Sequence, residues 1–155
     1  MDLRDLLKPE GVLPSLHAQS KKQMLQEVCA SAARLTGIPE REIFDVVLQR
    51  ERLGSTGVGS GVAIPHGKLR ALDRLVGVFA RLQRPIDFNA LDDQAVDLVF
   101  LLLAPESAGA DHLKALARIA RVLRESAVAQ KLRTAEGAAE IYHILVSPDE
   151  ASHAA

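Results

Sequence analysis

The sequence has little cysteine and no excess of either charge. Cys29 is the single cysteine among 155 residues, so an internal disulfide and a thiolate-rich zinc site are both excluded. The 19 Lys and Arg residues nearly balance the 20 Asp and Glu residues, which leaves a net charge of −1. Because nucleic-acid-binding proteins usually carry a strong basic excess, we expect no nucleic-acid partner.

Long apolar segments are also missing. The longest uninterrupted apolar run covers residues 98–104, whereas a membrane-spanning helix needs about 20 residues. The N-terminus carries Asp2 and Asp5 where a secretory signal peptide carries basic residues. We therefore expect no signal peptide, no direct membrane insertion and a cytoplasmic location, which a single reduced thiol also fits.

What is present is the composition of one globular domain. The chain is 48% apolar and 25% charged, as in ordinary folded proteins, and its length suits a single domain over residues 1–155. After residue 147 the sequence becomes small and polar, so we expect residues 147–155 to form a frayed tail.

Helical and strand patterns alternate along the chain. The apolar spacing predicts helices over residues 20–35, 39–51, 112–123, 126–133 and 135–145. Strands are predicted over residues 62–64, 75–82 and 96–104, with a short edge segment over 84–88. Because the second and third of these strands are apolar on nearly both faces, we expect an α/β domain with helices covering both faces of the sheet.

A glycine-rich segment precedes a histidine that is presented at a strand end. Residues 54–61 contain four glycines, so they are expected to form a loop whose backbone can approach a ligand closely. Residues 65–67, Pro-His-Gly, are then predicted to form a rigid turn that holds His66 beyond the strand. Loops at strand ends are where sites collect in α/β proteins, so His66 is the leading candidate.

A second histidine stands at a predicted helix start. We expect Asp111 to cap the helix that follows the strand over residues 96–104, which places His112 beside the free backbone N–H groups of the first turn. Both His66 and His112 follow central strands, so we expect them to share one edge of the sheet. The other histidines, His17, His143 and His153, are predicted to be solvated side chains.

Several standard sites fail on spacing. Ser60 stands where a phosphate-binding P-loop requires lysine, and Val62 stands where a dinucleotide-binding motif requires its third glycine. A metal site made from His66, His112 and Asp111, in a metal hydrolase, stays open as an alternative, although no spacing selects it. No metal or other cofactor is called for.

The remaining set of residues suits a phosphoryl group carried on histidine. A neutral imidazole is a competent nucleophile near pH 7. The transition state spreads negative charge over three oxygens, which donors around the site stabilise. The candidate donors are Arg50, Ser55, Thr56, His112 and the amides of the glycine-rich loop.

These residues also carry a family resemblance. Residues 50–67 contain Gly-Ser-Thr-Gly followed by Ala-Ile-Pro-His-Gly, and residues 96–105 are followed by Asp-His-Leu and a helix. Both blocks resemble the fructose/mannitol-type IIA domains of the bacterial phosphotransferase system, over a core of about residues 6–146. The resemblance implies a mixed β-sheet flanked by helices. The absence of a fused IIB or IIC domain and the opening Leu-Leu-Lys-Pro-Glu-Gly-Val-Leu favour the nitrogen-related branch of that family.

The resemblance implies a role for each matching residue. His66 matches the phosphorylated histidine, His112 the second histidine of the site, and Arg50 the nearby arginine. The matching phosphate-binding residues are Ser55, Thr56, Gly57 and Gly67. One departure is Ser60, where the family often has asparagine; we expect it to change a loop hydrogen bond and leave the chemistry intact.

The resemblance also implies a pathway and partners. An HPr-like phosphocarrier protein would donate the phosphoryl group to His66, and the phosphorylation state would control regulatory target proteins. Two alternatives stay open beside the metal hydrolase: a sugar-specific IIA component that passes phosphate to a IIB domain, and a binding module with a degenerate site. The oligomeric state is not given by the sequence, and a weak homo-oligomer stays open.

Overall fold

A six-stranded mixed sheet forms the centre of the protein in a computed structural model, which describes residues 1–153. The strands are β1 (Val12–Leu16), β2 (Gly57–Gly59), β3 (Val62–Ala63), β4 (His66–Leu69), β5 (Val76–Ile86) and β6 (Val96–Pro105). Their order is β1-β5-β6-β3-β2, and β4 also pairs with β6. The β5–β6 and β2–β3 pairs are antiparallel, whereas β1–β5, β3–β6 and β4–β6 are parallel. The mixed sheet is therefore confirmed.

Helices cover both faces of this sheet, as predicted. They are α1 (Lys21–Thr36), α2 (Glu40–Arg52), α3 (Ala110–Arg124), α4 (Ser126–Thr134), α5 (Ala138–Val146) and α6 (Pro148–His153). On one face α1 and α2 pack Met24 and Val47 against strand residues such as Val99. On the other face α3 and α5 pack Ile119 and Ile141 in a separate cluster. Strands β5 and β6 are buried by both clusters, which explains their near-continuous apolar sequence.

The predicted helix boundaries hold best where capping residues are strong. Ser20 accepts a hydrogen bond from the backbone N–H of Gln23 at 3.1 Å and begins α1. Gly37, at φ +76°, ends it in the left-handed conformation that glycine tolerates. Pro39 takes the N-cap position of α2, one residue outside the helix that was predicted to include it. None of the helices within residues 1–153 has the length and apolarity needed to cross a bilayer.

The remaining boundaries differ from the prediction in several places. Strand β5 runs on to Ile86, which pairs with Val96, so most of the predicted separate edge segment belongs to one long strand with an irregular register after Arg81. Strand β1 was not predicted, because five residues that include a proline carry little signal. A short helix, α6, lies where a frayed tail was expected, and residues 154 and 155 of that tail lie outside the described residues.

Strands β3 and β4 are two parts of one interrupted strand. Val62 pairs with Leu98, and His66 pairs with Leu102, so the offset to β6 is the same on both sides of the break. The break falls at Pro65, which has no N–H to donate to a ladder. The predicted turn over residues 65–67 is therefore wrong, since His66 and Gly67 return to the sheet as soon as the proline is passed.

Candidate functional site

The backbone break before His66 orients its imidazole. The Nδ1 atom of His66 lies 2.9 Å from the carbonyl oxygen of Ile64. A carbonyl oxygen can only accept a hydrogen bond, so Nδ1 must carry the proton in the neutral ring. It follows that Nε2 of His66 holds the free lone pair and is the ring nitrogen available as a nucleophile.

His112 lies directly beside His66, as expected, although His66 is the first residue of β4 and does not follow the end of a strand. The two ring centroids are 5.3 Å apart, and the ring planes are nearly perpendicular at 86°. The Nδ1 atom of His112 is buried and has no hydrogen-bond partner within the described part of the chain. Because an unpaired buried N–H is rarer than an unpaired acceptor, we assign the proton of neutral His112 to Nε2.

The helix that carries His112 begins earlier than predicted. Gly109 is the N-cap residue at φ +57°, and Asp111 lies within the first turn of α3 without capping it. The expectation that Asp111 caps the helix is therefore wrong. The physical reason is that Gly109 can adopt a backbone conformation that lets the chain turn into the helix two residues sooner. The Asp111 N–H donates to the carbonyl oxygen of Ala108 at 3.1 Å, and no side chain caps the other N–H groups of the first turn, where an anion is favoured.

Both imidazoles are held in the neutral form near pH 7. Burial lowers the pKa of His66 below its ordinary value, and Arg50 lowers it further, against opposing effects of the Ile64 carbonyl and Glu51. Burial also lowers the pKa of His112, helped by the nearby charges of Lys68 and His66. A lowered pKa keeps the lone pair of His66 available for nucleophilic attack.

An open cleft surrounds the histidine pair. It is lined by Val46, Gln49, Arg50, Leu53, His66, Gly67, Lys68 and His112. The Arg50 guanidinium donates a hydrogen bond to the carbonyl oxygen of Gly54 at 3.1 Å, which holds it near the start of the glycine-rich loop. Lys68 and Leu53 were not predicted as site residues. Side chains alternate between the two faces of a strand, so residues 66 and 68 of β4 lie on the same face. Recognising β4 as a strand would therefore have placed Lys68 beside His66.

One exposed apolar side chain also lines the cleft. Leu53 is 82% exposed at the end of α2. A single exposed leucine is ordinary on a protein surface, but at this position it offers an apolar contact beside the two histidines. The site therefore combines neutral imidazoles, cations and one apolar contact point.

The glycine-rich segment is tied to the loop that follows β5. The Ser55 hydroxyl donates to the carbonyl oxygen of Phe88 at 2.9 Å and accepts from the N–H of Gly57 at 3.1 Å. A Cβ on Gly57 would lie 2.7 Å from the Cβ of Ala90, so only glycine fits there. A Cβ on Gly67 would likewise lie 2.6 Å from Val46. These contacts explain the residue types; phosphate binding by Ser55, Thr56, Gly57 and Gly67 stays a prediction.

A buried carboxylate that the sequence analysis missed anchors the same segment. The Glu51 side chain is 2% exposed and forms an ion pair with Lys21 at 3.0 Å. It also accepts hydrogen bonds from the N–H and the hydroxyl of Thr56, at 2.8 and 2.6 Å. The burial of Glu51 could have been predicted from the sequence, because Glu51 follows Ile43 and Val47 at four-residue spacing on the buried face of α2.

The two histidines lack further metal ligands. Across the described residues, no group of three or more His, Cys, Asp or Glu side chains is arranged to hold a metal ion. Asp111, the third member of the alternative metal site, is exposed on α3. The arrangement supplies a nucleophile and donors for an anion, which is the chemistry of phosphoryl transfer.

Comparison with known families agrees with this geometry. The family model for the phosphoenolpyruvate-dependent sugar phosphotransferase system, EIIA 2, matches residues 5–147. The chain therefore belongs to the EIIA type 2 family of the phosphotransferase system.

Its relatives within that family define the branch. The chain is 62% identical to the nitrogen regulatory protein of Bradyrhizobium diazoefficiens over 148 residues, covering 96% of this chain and 97% of that protein. It is 40% identical to the nitrogen regulatory protein of Escherichia coli over 156 residues, which cover 97% of this chain and 96% of that protein. The crystal structure of nitrogen regulatory protein IIA-Ntr from Neisseria meningitidis superimposes with a TM-score of 0.86 at 34% identity, covering 90% and 96% of the two chains. The mannitol IIA structure from Escherichia coli, at 23% identity and a TM-score of 0.74, shares the fold; the match covers 89% of this chain and 97% of that one.

Proposed function

We propose that this protein is a phosphohistidine carrier and regulator of the nitrogen-related branch, which accepts a phosphoryl group on Nε2 of His66 from an HPr-like carrier. The observation that carries the proposal is the His66–His112 pair, in which the Ile64 carbonyl leaves Nε2 of His66 free. The relatives named as nitrogen regulatory proteins support the branch. The protein is expected to act in the cytoplasm.

The transfer is an in-line displacement between two imidazoles. The lone pair on Nε2 of His66 attacks phosphorus while the phosphorus–nitrogen bond of the donor phosphohistidine breaks, and the donor imidazole leaves with that electron pair. No proton has to move before attack, because Nδ1 of His66 already carries its proton. No metal or cofactor takes part in this step.

The residues around His66 stabilise the charge on the transferred group. Arg50 and Lys68 supply cations at the cleft, and the uncapped first turn of α3 supplies N–H groups. In the tautomer assigned above, His112 donates from Nε2 to a phosphoryl oxygen. Each hydrogen bond to a charged group is worth roughly 1.5–3 kcal/mol, so two or three of them shift the transfer equilibrium strongly.

The phosphoryl group also offers a direct route to regulation. Phosphorylation adds about −1.5 to −2 charges at a cleft that the exposed Leu53 lines. A target that buries Leu53 in the unphosphorylated state would have to desolvate the new charge. Such a target is released on phosphorylation, and equal affinity for both forms would overturn this part of the proposal.

Phosphotransfer in a purified relay tests the proposal. The protein is mixed with phosphoenolpyruvate, enzyme I and the HPr-like carrier, and the phosphate is followed by intact mass and acid lability. We expect one acid-labile phosphate that disappears in His66→Ala and persists in His143→Ala, a matched change at an exposed histidine. Nitrogen-15 spectra should place the phosphate on Nε2. No phosphate from either the nitrogen or the sugar relay would favour the degenerate binding module.

A further experiment separates the regulator from the sugar-specific alternative. A IIB domain is added to the phosphorylated protein, and the loss of phosphate from His66 is timed. The regulator retains its phosphate, whereas a sugar-transport component passes it on within the mixing time. Rapid transfer to a fructose- or mannitol-type IIB domain would overturn the regulatory assignment and leave the carrier chemistry standing.

A further inference from the structure

The exposed face of α3 carries an unusual concentration of positive charge for a chain with a net charge of −1. Four cations follow one another at helical spacing: Lys114, Arg118, Arg121 and Arg124. None of them takes part in the ion pairs found in the part of the chain that the structure describes. The Nε atom of Arg118 is also buried without a hydrogen-bond partner. The helix therefore carries four cations that form no direct ion pair within the described residues, although Glu125 and Asp149 line the same surface as Arg118 and Arg121.

A groove with small side chains runs beside these cations. It has a volume of about 480 Å³ and is lined by Ala117, Ala120, Arg121, Arg124 and Glu125. The exposed Leu113 lies four residues before Ala117 on the same side of the helix. We call this surface, from Leu113 to Arg124, the α3 groove. It pairs an apolar strip of small residues with a cationic strip.

We propose that the α3 groove is a second docking surface, which binds an acidic amphipathic helix of a partner protein. The alanines let another helix backbone approach closely, and the arginines match acidic side chains on its flank. From Leu113 to Arg124 the groove spans about 16 Å, which is three turns of a partner helix. A nucleic acid would gain nothing from the apolar strip, and one exposed leucine offers too little apolar area for a membrane.

This surface works independently of the phosphorylation state of His66. Arg121 lies nine residues beyond His112, about 14 Å along the helix axis. At physiological ionic strength charges are screened over about 8 Å, so a phosphoryl group at His66 has little effect at the centre of the groove. The α3 groove therefore binds its partner with the same affinity in both phosphorylation states. A failure of the phosphotransfer proposal would leave this proposal untouched, and the reverse also holds.

The test uses the full chain and a synthetic acidic probe. An 18-residue peptide with leucine at i, i+4 and i+7, glutamate on the flanking positions and alanine at the remaining ones is titrated into nitrogen-15-labelled protein. A peptide with lysine in place of the glutamates is the control. We expect amide shifts confined to residues 113–125, and binding by the acidic peptide alone. Arg121→Glu/Arg124→Glu should weaken binding about ten-fold or more, while phosphorylation of the wild-type protein by the purified relay should change it less than two-fold.

Two matched variants make the outcome decisive. Arg34→Glu/Arg41→Glu reverses two exposed arginines on α1 and α2 and should leave binding within two-fold. Ala117→Arg adds a cation but fills the groove, so it should weaken binding, whereas pure charge attraction would tighten it. Equal losses in the two double variants, tighter binding by Ala117→Arg, or shifts spread over the whole surface would each overturn the proposal.

Discussion

Replacing Glu51 with alanine is expected to destabilise the protein more than any other single change to a charged residue named above. The carboxylate is buried and receives three donors: the N–H of Thr56, the hydroxyl of Thr56 and the ammonium of Lys21, all within 3.0 Å. Alanine leaves two buried donors of Thr56 unpaired, each of which costs about 1–3 kcal/mol. It also breaks a largely buried ion pair, and losses of this kind total about 3–5 kcal/mol.

Urea unfolding measures this loss directly. We expect Glu51→Ala to lower the free energy of unfolding by about 3–5 kcal/mol, which at this chain length corresponds to a drop in Tm of roughly 6–20 °C. Glu51→Gln should lose less, because its amide oxygen still accepts one hydrogen bond. Glu27→Ala is the matched control, since Glu27 is an exposed carboxylate on α1 outside the ion pairs described, and it should stay within about 0.5 kcal/mol of the wild type.

The effect should extend to the site. Glu51 holds Thr56, and its neighbour Arg50 holds the carbonyl of Gly54, so one turn of α2 fixes both ends of the segment between them. Phosphotransfer by Glu51→Gln, measured well below its unfolding temperature, is expected to slow even though the variant is folded. If Glu51→Ala unfolds within 1 kcal/mol of the wild type, the buried carboxylate is dispensable and the reasoning from its three donors is wrong.

Four further predictions concern other positions. His112→Ala should still accept phosphate on His66 but about ten-fold or more slowly, as measured by rapid-quench phosphotransfer; wild-type rates would refute the two-histidine site. Since folding lowers the pKa of both imidazoles, the unfolded chain binds more protons below about pH 6.5, so urea unfolding should show stability falling from pH 7 to pH 5. Burial raises the pKa of Cys29 to about 12, so iodoacetamide at pH 8 should label it only after unfolding. Ser60 has φ +57°, a conformation that asparagine tolerates better, so Ser60→Asn should add about 0.5 kcal/mol to the unfolding free energy in urea titrations.

Much of the fold could be predicted because local signals were strong. The caps Ser20 and Gly37 bracket α1, and the continuous apolar sequence of β5 and β6 indicates strands that are covered on both faces. The two histidines could also be predicted to lie close together, because each follows an apolar strand segment in the sequence. Strand β1 could not be predicted, because it depends on pairing with the distant strand β5. The start of α3 could not be predicted either, because it depends on the φ angle that Gly109 adopts.

The structure brings the predicted histidines together, but the residues that support them were missed. Residue types indicate a nucleophile and donors, but not which donors are already engaged within the fold. The hydroxyls of Ser55 and Thr56 donate to Phe88 and Glu51 in the structure, which only tertiary contacts decide. Lys68 was missed because a turn was expected where β4 begins, and a turn has no alternating faces.

The break between β3 and β4 determines which mutations can change the protonation of His66. The group that sets the protonation pattern of His66 is the carbonyl of Ile64, and a main-chain oxygen is present whatever side chain residue 64 carries. In triads that use an aspartate for the same purpose, one nucleotide change can remove the acceptor. Here a single substitution can disturb the acceptor only through the backbone path, which Pro65 constrains. The free nitrogen of His66 is thus less easily changed by mutation than the donors around it, whose hydrogen bonds depend on their side chains.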